Sequence, residues 1–265
     1  MSEGADTVPV PRIDGERCET ALELERDEAA RLAERPRARQ TATRIVVIGE
    51  FNSGKTSLVN ALVGAPVLPT SFVAHTPCPT IITYAAKPAL SGETASRRRV
   101  PIAWDRIGIG PQQGIRRLHV GVPLEQLKAL RVIDTPGLAL GDEVSDAQTL
   151  RACRGADKVI WCTPAMQAWK ASEQRAWLTL PKGLRQRGIL AVTFTDAIAS
   201  QTDVDRVLAR LHAEAGALFR GIVRSSAVAA LGPAPHQAPT DPEQHRSRGV
   251  RAARTVVSPA MAELR

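Results

Sequence analysis

Aromatic side chains are scarce in this chain: 3% of 265 residues, as four Phe, four Trp and one Tyr. Its core must therefore be built from Val, Ile, Leu and Ala. Cysteine is sparse too. Cys18, Cys78, Cys153 and Cys162 form no CxxC pair and have no His at ligand spacing. That argues against a disulfide scaffold or a zinc site and predicts a reducing, cytoplasmic setting. No apolar run approaches the roughly 20 residues that span a bilayer, and no secretory leader opens the sequence. Acidic residues are the minority, 27 against 35 Lys and Arg, for a formal net charge of +8 and a pI near 9.9. That balance permits contact with phospholipid or nucleic acid and does not choose between them. A hydrophobic fraction of 43% suits one globular domain with tails.

What is present is concentrated in residues 49 to 56, Gly-Glu-Phe-Asn-Ser-Gly-Lys-Thr. A Gly, four residues, then Gly-Lys-Thr is a phosphate-binding loop. Its backbone N–H groups wrap phosphate oxygens, the Lys ammonium reaches the terminal phosphates, and the Thr hydroxyl serves magnesium. The apolar run Arg44 to Ile48 precedes it as a strand, and Thr56 to Val63 follows with helical spacing and stops at Gly64. Strand, loop and helix in that order put phosphates at a helix N-terminus. The predicted contacts are Gly49, Asn52, Ser53, Gly54, Lys55, Thr56 and Ser57.

Residues 1–15 read as a loose tail, and 16–39 as an N-terminal helix with one apolar stripe, closed by Pro36. Over 40–230, candidate strands at 44–48, 80–85, 130–134, 158–162, 189–194 and 221–224 alternate with helices at 55–63, 146–154, 172–180 and 203–218. Such alternation predicts an α/β fold of the P-loop NTPase kind, a mostly parallel central sheet flanked by helices on both faces. The stretch 86–125, with Arg97 to Arg99, has room for an antiparallel edge hairpin. Residues 231–265 read as a Pro-rich linker and a basic tail.

Two further strands end in carboxylates. Val132-Ile133-Asp134-Thr135-Pro136-Gly137 delivers Asp134 at a strand tip, where open α/β sheets bind ligands. Asp134 can hold magnesium through water, and Gly137 leaves its N–H free for the γ-phosphate. Ile189 to Asp196 is the second. Asp196 can accept two N–H bonds from a guanine edge, which adenine does not offer. Thr193 stands at the Asn or Thr position of the guanine motif, but Phe194 fills its Lys position and can stack on the purine instead. Ser226 and Ala227, past the next strand, are candidates for the last base contact through backbone N–H.

Together these tracts resemble the GTPase domain of bacterial dynamin-like proteins. Val67-Leu68-Pro69-Thr70, Thr76-Pro77-Cys78-Pro79-Thr80, and Ala156 to Trp161 leading to Ser172-Glu173 carry the likeness further, over about residues 40 to 230. The resemblance implies GTP hydrolysis with Mg2+, and a Thr that contacts magnesium and the γ-phosphate. Thr76 fits that role, with Thr80 the alternative. Asn52 matches the P-loop Asn of dimerisation-activated GTPases, where it helps bind K+; Lys55, Thr76 and Asn52 are therefore the catalytic candidates. Thr56, Thr76 and Asp134 are the metal candidates.

The implied partners are guanine nucleotide, a second copy meeting it face to face, and a stalk-bearing dynamin-like protein, since the family's helical stalk is not in this sequence. Peripheral contact with the inner face of a membrane is compatible with this, and nucleic acid is disfavoured. Two alternatives stay open: a non-catalytic, nucleotide-gated binding module, and an RNA- or ribosome-associated GTPase. Where small signalling GTPases place a water-orienting Gln after the Gly of Asp-x-x-Gly, this chain has Leu138.

Overall fold

The computed structural model of the protein describes residues 42–70, 78–107, 114–138 and 143–226. The tail at 1–15, the helix at 16–39, Thr76, Ala227 and the segment 231–265 lie outside them. Within these residues nine strands form one sheet: β1 (Thr43–Gly49), β2 (Thr80–Tyr84), β3 (Ala89–Thr94), β4 (Arg99–Pro101), β5 (Ile115–Val122), β6 (Leu130–Asp134), β7 (Lys158–Pro164), β8 (Gly188–Thr193) and β9 (Gly221–Arg224). Their order is β4-β3-β5-β2-β6-β1-β7-β8-β9. Among the described residues, five α-helices accompany them: α1 (Lys55–Val63), α2 (Glu143–Cys153), α3 (Ala171–Leu178), α4 (Lys182–Arg185) and α5 (Gln201–Ala215).

β1 shows why the sheet is doubly covered. Ile45, Val46, Val47 and Ile48 are all fully buried, as a central strand hydrogen-bonded on both edges and packed on both faces requires. Ile45 and Val47 join a core with Leu58 and Leu62 of α1, Ile82 and Val120. Val46 and Ile48 point the other way, to Trp161, Trp177, Leu190 and Leu211. Four of the aromatics, Trp161, Trp169, Trp177 and Phe219, gather in this second layer. Trp177 stacks on Phe219 with centroids 4.2 Å apart and meets Trp161 edge-on at 5.8 Å.

β1, β6, β7, β8 and β9 run parallel, so their C-terminal tips lie along one edge of the sheet. β2 is antiparallel to β6, and β3 is antiparallel to both β4 and β5. The stretch 86–125 thus holds an antiparallel hairpin, β3 and β4, at the sheet's margin, and a third strand, β5, parallel to β2. α1 ends where the sequence predicts: Gly64 is left-handed, with its N–H on the Ala61 carbonyl. Asn60 then pins the outgoing chain by accepting from Leu68 N–H at 2.9 Å and donating to its carbonyl at 2.7 Å.

Candidate functional site

Between the end of β1 and the start of α1, residues 50–54 fold back over the helix N-terminus. Asn52 (φ 56°) and Gly54 (φ 80°) are left-handed, a region that Asn tolerates better than most side chains. The loop is held from inside. Ser53 N–H donates to the Glu50 carbonyl at 3.3 Å, and Lys55 Nζ donates to that same oxygen at 2.6 Å. Lys55 is buried; burial lowers its pKa, and the Asp134 carboxylate is the strongest influence opposing that shift. Asn52 is exposed.

The Asp134 strand reaches this loop directly. Thr56 Oγ1 donates to Asp134 Oδ2 at 2.8 Å, linking positions 78 apart in sequence. Thr135 Oγ1 fastens the same turn to the Val47 carbonyl at 2.8 Å. Gly137 then lies on the loop so closely that a Cβ there would stand 2.7 Å from Phe51 Cα and 3.2 Å from Lys55 Nζ. Only glycine allows that approach. Leu138 bonds its N–H to the Gly49 carbonyl at 3.0 Å and buries its side chain in the second core. Thr80, the alternative to Thr76, is buried opposite Asp134 in the β2–β6 register, its hydroxyl 3.5 Å from the Cys78 carbonyl.

The base-side candidates converge from β8 and β9. Thr193 Oγ1 lies 2.8 Å from the Ser53 carbonyl and 3.2 Å from that of Thr163, a hydroxyl shared between two acceptors. Phe194 is left-handed (φ 55°). Its ring edge packs at Gly54, where Cε2 and Cζ would both be 3.2 Å from an added Cβ. The residue at the motif's Lys position is thus in contact with the P-loop through apolar atoms, while 37% of it stays exposed. Asp196 follows, exposed, in the turn Thr195–Ala197. Ser225 N–H bonds the Val192 carbonyl at 2.8 Å, and Ser225 and Ser226 are both buried.

Sequence reasoning named Glu50, Ser172 and Glu173 within larger tracts but missed the contacts they make. The Glu50 carboxylate accepts Ser172 Oγ at 2.6 Å and pairs with Lys170. Glu173, fully buried, accepts Trp161 Nε1 at 3.0 Å, Thr163 Oγ1 at 2.9 Å and Lys170 N–H at 2.9 Å. The available signal was local: a Glu three residues after the residue that opens a helix is the spacing of a capping box.

Thr56 and Asp134 present a hydroxyl and a carboxylate in contact beside a buried ammonium. Hard oxygen donors of this kind fit magnesium.

The matching family model is that of the Dynamin family, over residues 45–195. Dynamin-like protein 2 of Campylobacter jejuni is 28% identical over 169 residues, covering 62% of this chain and 27% of that protein. Isoniazid-induced protein IniC of Mycobacterium tuberculosis is 34% identical over 125 residues, 44% of this chain and 25% of that protein. The chain thus spans about a quarter of the length of these relatives. Among solved structures, one chain of an oligomerised bacterial dynamin pair, described as a mechanism for long-range sensing and tethering of membranes, shares the fold. Its TM-score is 0.55 at 21% identity, covering 70% of this chain and 31% of that one. With the family model spanning more than half of its length, from β1 to the turn that carries Asp196, the chain belongs to the dynamin family.

Proposed function

We propose that this chain binds GTP and hydrolyses it to GDP and phosphate, its catalytic unit being residues 40–230. The observation that carries the reading is the contact between Thr56 and Asp134 beside Lys55, which joins two motifs of one phosphate site. Phosphoryl transfer depends on positioning and charge neutralisation more than on covalent chemistry. Lys55, desolvated, offers its ammonium to the β- and γ-phosphates in exchange for the Glu50 carbonyl. The N–H groups of 50–56 and of Gly137 cradle the phosphate oxygens. Thr56 and Asp134 would hold Mg2+, which supplies positive charge at the developing negative charge between the β- and γ-phosphates. Asp196 accepts the guanine N–H pair, and Phe194 offers its exposed ring as an apolar surface for the purine.

The finer reading is turnover that is slow alone and faster when two GTP-loaded copies meet, with K+ bound at Asn52. Two features support it: Asn52 is exposed on the loop, and Leu138 is turned into the core, where it cannot orient water. Thr76 is the candidate for that task. The same burial of Leu138 favours a second reading, a nucleotide-gated binding module without useful turnover. Membrane contact and a stalk-bearing partner are proposed from the relatives alone.

Binding and phosphate release should be measured with GTP and ATP, in K+ and in Na+, across protein concentration. GTP preference and K+-dependent release that rises with concentration are expected. Binding without release would select the second reading. In the same assays Lys55→Ala should abolish triphosphate binding and Asp196→Asn should loosen guanine preference. Normal GTP binding by Lys55→Ala would mean the site is misassigned.

A further inference from the structure

Glu50 stands at an unusual crossing of bonds. Through its backbone it serves the phosphate loop: the carbonyl accepts both Lys55 Nζ at 2.6 Å and Ser53 N–H at 3.3 Å. Through its side chain it grips the start of α3, with Ser172 Oγ on Oε1 at 2.6 Å and the Lys170 ammonium on Oε2. Its carboxylate is only 15% exposed, so these charge-assisted bonds are stronger than surface contacts of the same kind. The Glu50 carboxylate is also the main reason the Lys170 pKa is raised.

The anchor at the other end is rigid. Glu173 fixes the first turn of α3 through two buried bonds, to Trp161 and Thr163, and a part-buried one from Lys170 N–H. Trp169 N–H adds a fourth tie, donating to Thr163 Oγ1 at 3.0 Å. The Thr193 hydroxyl, lying between the Thr163 and Ser53 carbonyls, secures the middle of the loop to the same strand tip. The P-loop is therefore moored at two points, Glu50 and Ser53, to the β7–α3 junction.

We propose that Glu50 is a positioning residue for hydrolysis: its grip on Lys170 and Ser172 fixes the carbonyl that holds Lys55. The inference rests on the reading of residues 49–56 as the phosphate cradle. Lys55 is desolvated and always needs an acceptor. With the Glu50 carbonyl held still, the ammonium exchanges between two fixed partners, that oxygen and the incoming phosphates. With Glu50 released, the carbonyl moves with a loose loop, and Lys55 meets the transferring phosphoryl group in a spread of positions. Misplacement of this order acts chiefly on the chemical step.

The test is steady-state GTP hydrolysis by Glu50→Ala, Glu50→Gln, Lys170→Ala and Ser172→Ala in the full chain, with thermal unfolding of each. Glu50→Ala should lower kcat by about 10-fold while KM changes by less than about 3-fold. Glu50→Gln keeps an acceptor for Ser172 and should recover part of that loss. Lys170→Ala, altered at a half-exposed side chain, keeps the fold intact and should lower kcat by about 3-fold with Tm unchanged. Ser172→Ala should add little on top of Glu50→Ala, because both cut the same mooring. Parental kcat in both Glu50→Ala and Lys170→Ala overturns the proposal. So does a loss that follows Tm alone and that Glu50→Gln does not recover. Lys55→Ala is the control: if it binds GTP normally, the cradle itself is misassigned. If it fails to bind while Glu50→Ala turns over normally, only the mooring is refuted.

Discussion

The two halves of the sheet obey different rules. On one side, β1, β6, β7 and β8 are parallel and buried on both faces. On the other, cover thins toward the margin: β5 buries Leu118 and Val120–Val122, β3 buries Leu90 and Gly92, and β4 buries no residue. Direction explains where the chemistry is. Parallel strands deliver their C-terminal tips to one edge, so Gly49, Asp134, Thr163 and Thr193 converge although the sequence spreads them over 145 positions (193 − 49 + 1). Antiparallel strands alternate their ends and gather nothing. The face they leave polar carries Glu93 between Arg117 and His119, contacts at 3.4 and 2.8 Å, and none of the proposed site residues.

Stability should divide the same way, and the largest effect tests it. Trp177 is fully buried, stacked on Phe219 and packed against the backbone of Gly188. Trp177→Ala should cost about 3–5 kcal/mol in denaturant unfolding. Val100→Ala on the half-buried edge strand β4 should cost under about 1 kcal/mol. Equal losses would erase the distinction between the halves. The next effect is functional. Gly137→Ala would drive a methyl group against Phe51 and Lys55 and should cut GTP hydrolysis by about 100-fold, with a smaller stability loss than Trp177→Ala, about 1–3 kcal/mol. If hydrolysis survives, the two motifs do not share one cradle.

Much of the parallel half was legible because its signals are local. The β-branched run 44–48, the run 130–134 and the stop at Gly64 each specify an element within a few residues, and β1, β6 and α1 match them to within one position. α5 was legible too: it starts at Gln201, two residues ahead of the expected stretch 203–218, and a 3-10 turn, Gly216–Leu218, carries the helical path to the expected end. What the sequence could not disclose is pairing across distance. Glu50 and Ser172 are 122 residues apart and no periodicity links them. Phe194 marks a departure from the guanine motif, but its packing on Gly54 follows only from β8 lying two strands from β1. The same holds for His119 and Glu93, whose meeting depends on the β3–β5 register.

That last pair supplies the smallest effect and the subtlest probe of the edge. His119 is pushed below its ordinary value of 6.5, first by burial; the Glu93 hydrogen bond opposes the shift, and Arg99 and Arg117 reinforce it. A histidine depressed in the folded state is protonated more readily in the unfolded chain. Acidification from pH 6.5 toward the lowered value therefore favours unfolding, whereas above 6.5 both states are neutral and the contribution vanishes. His119→Gln removes the titration while leaving a side chain able to donate to Glu93. The fall in Tm between pH 7 and pH 5 should be smaller in the variant than in the parent, with near-equal Tm values at pH 8. An unchanged fall would place the acid sensitivity outside the edge, and the edge would then be electrostatically silent.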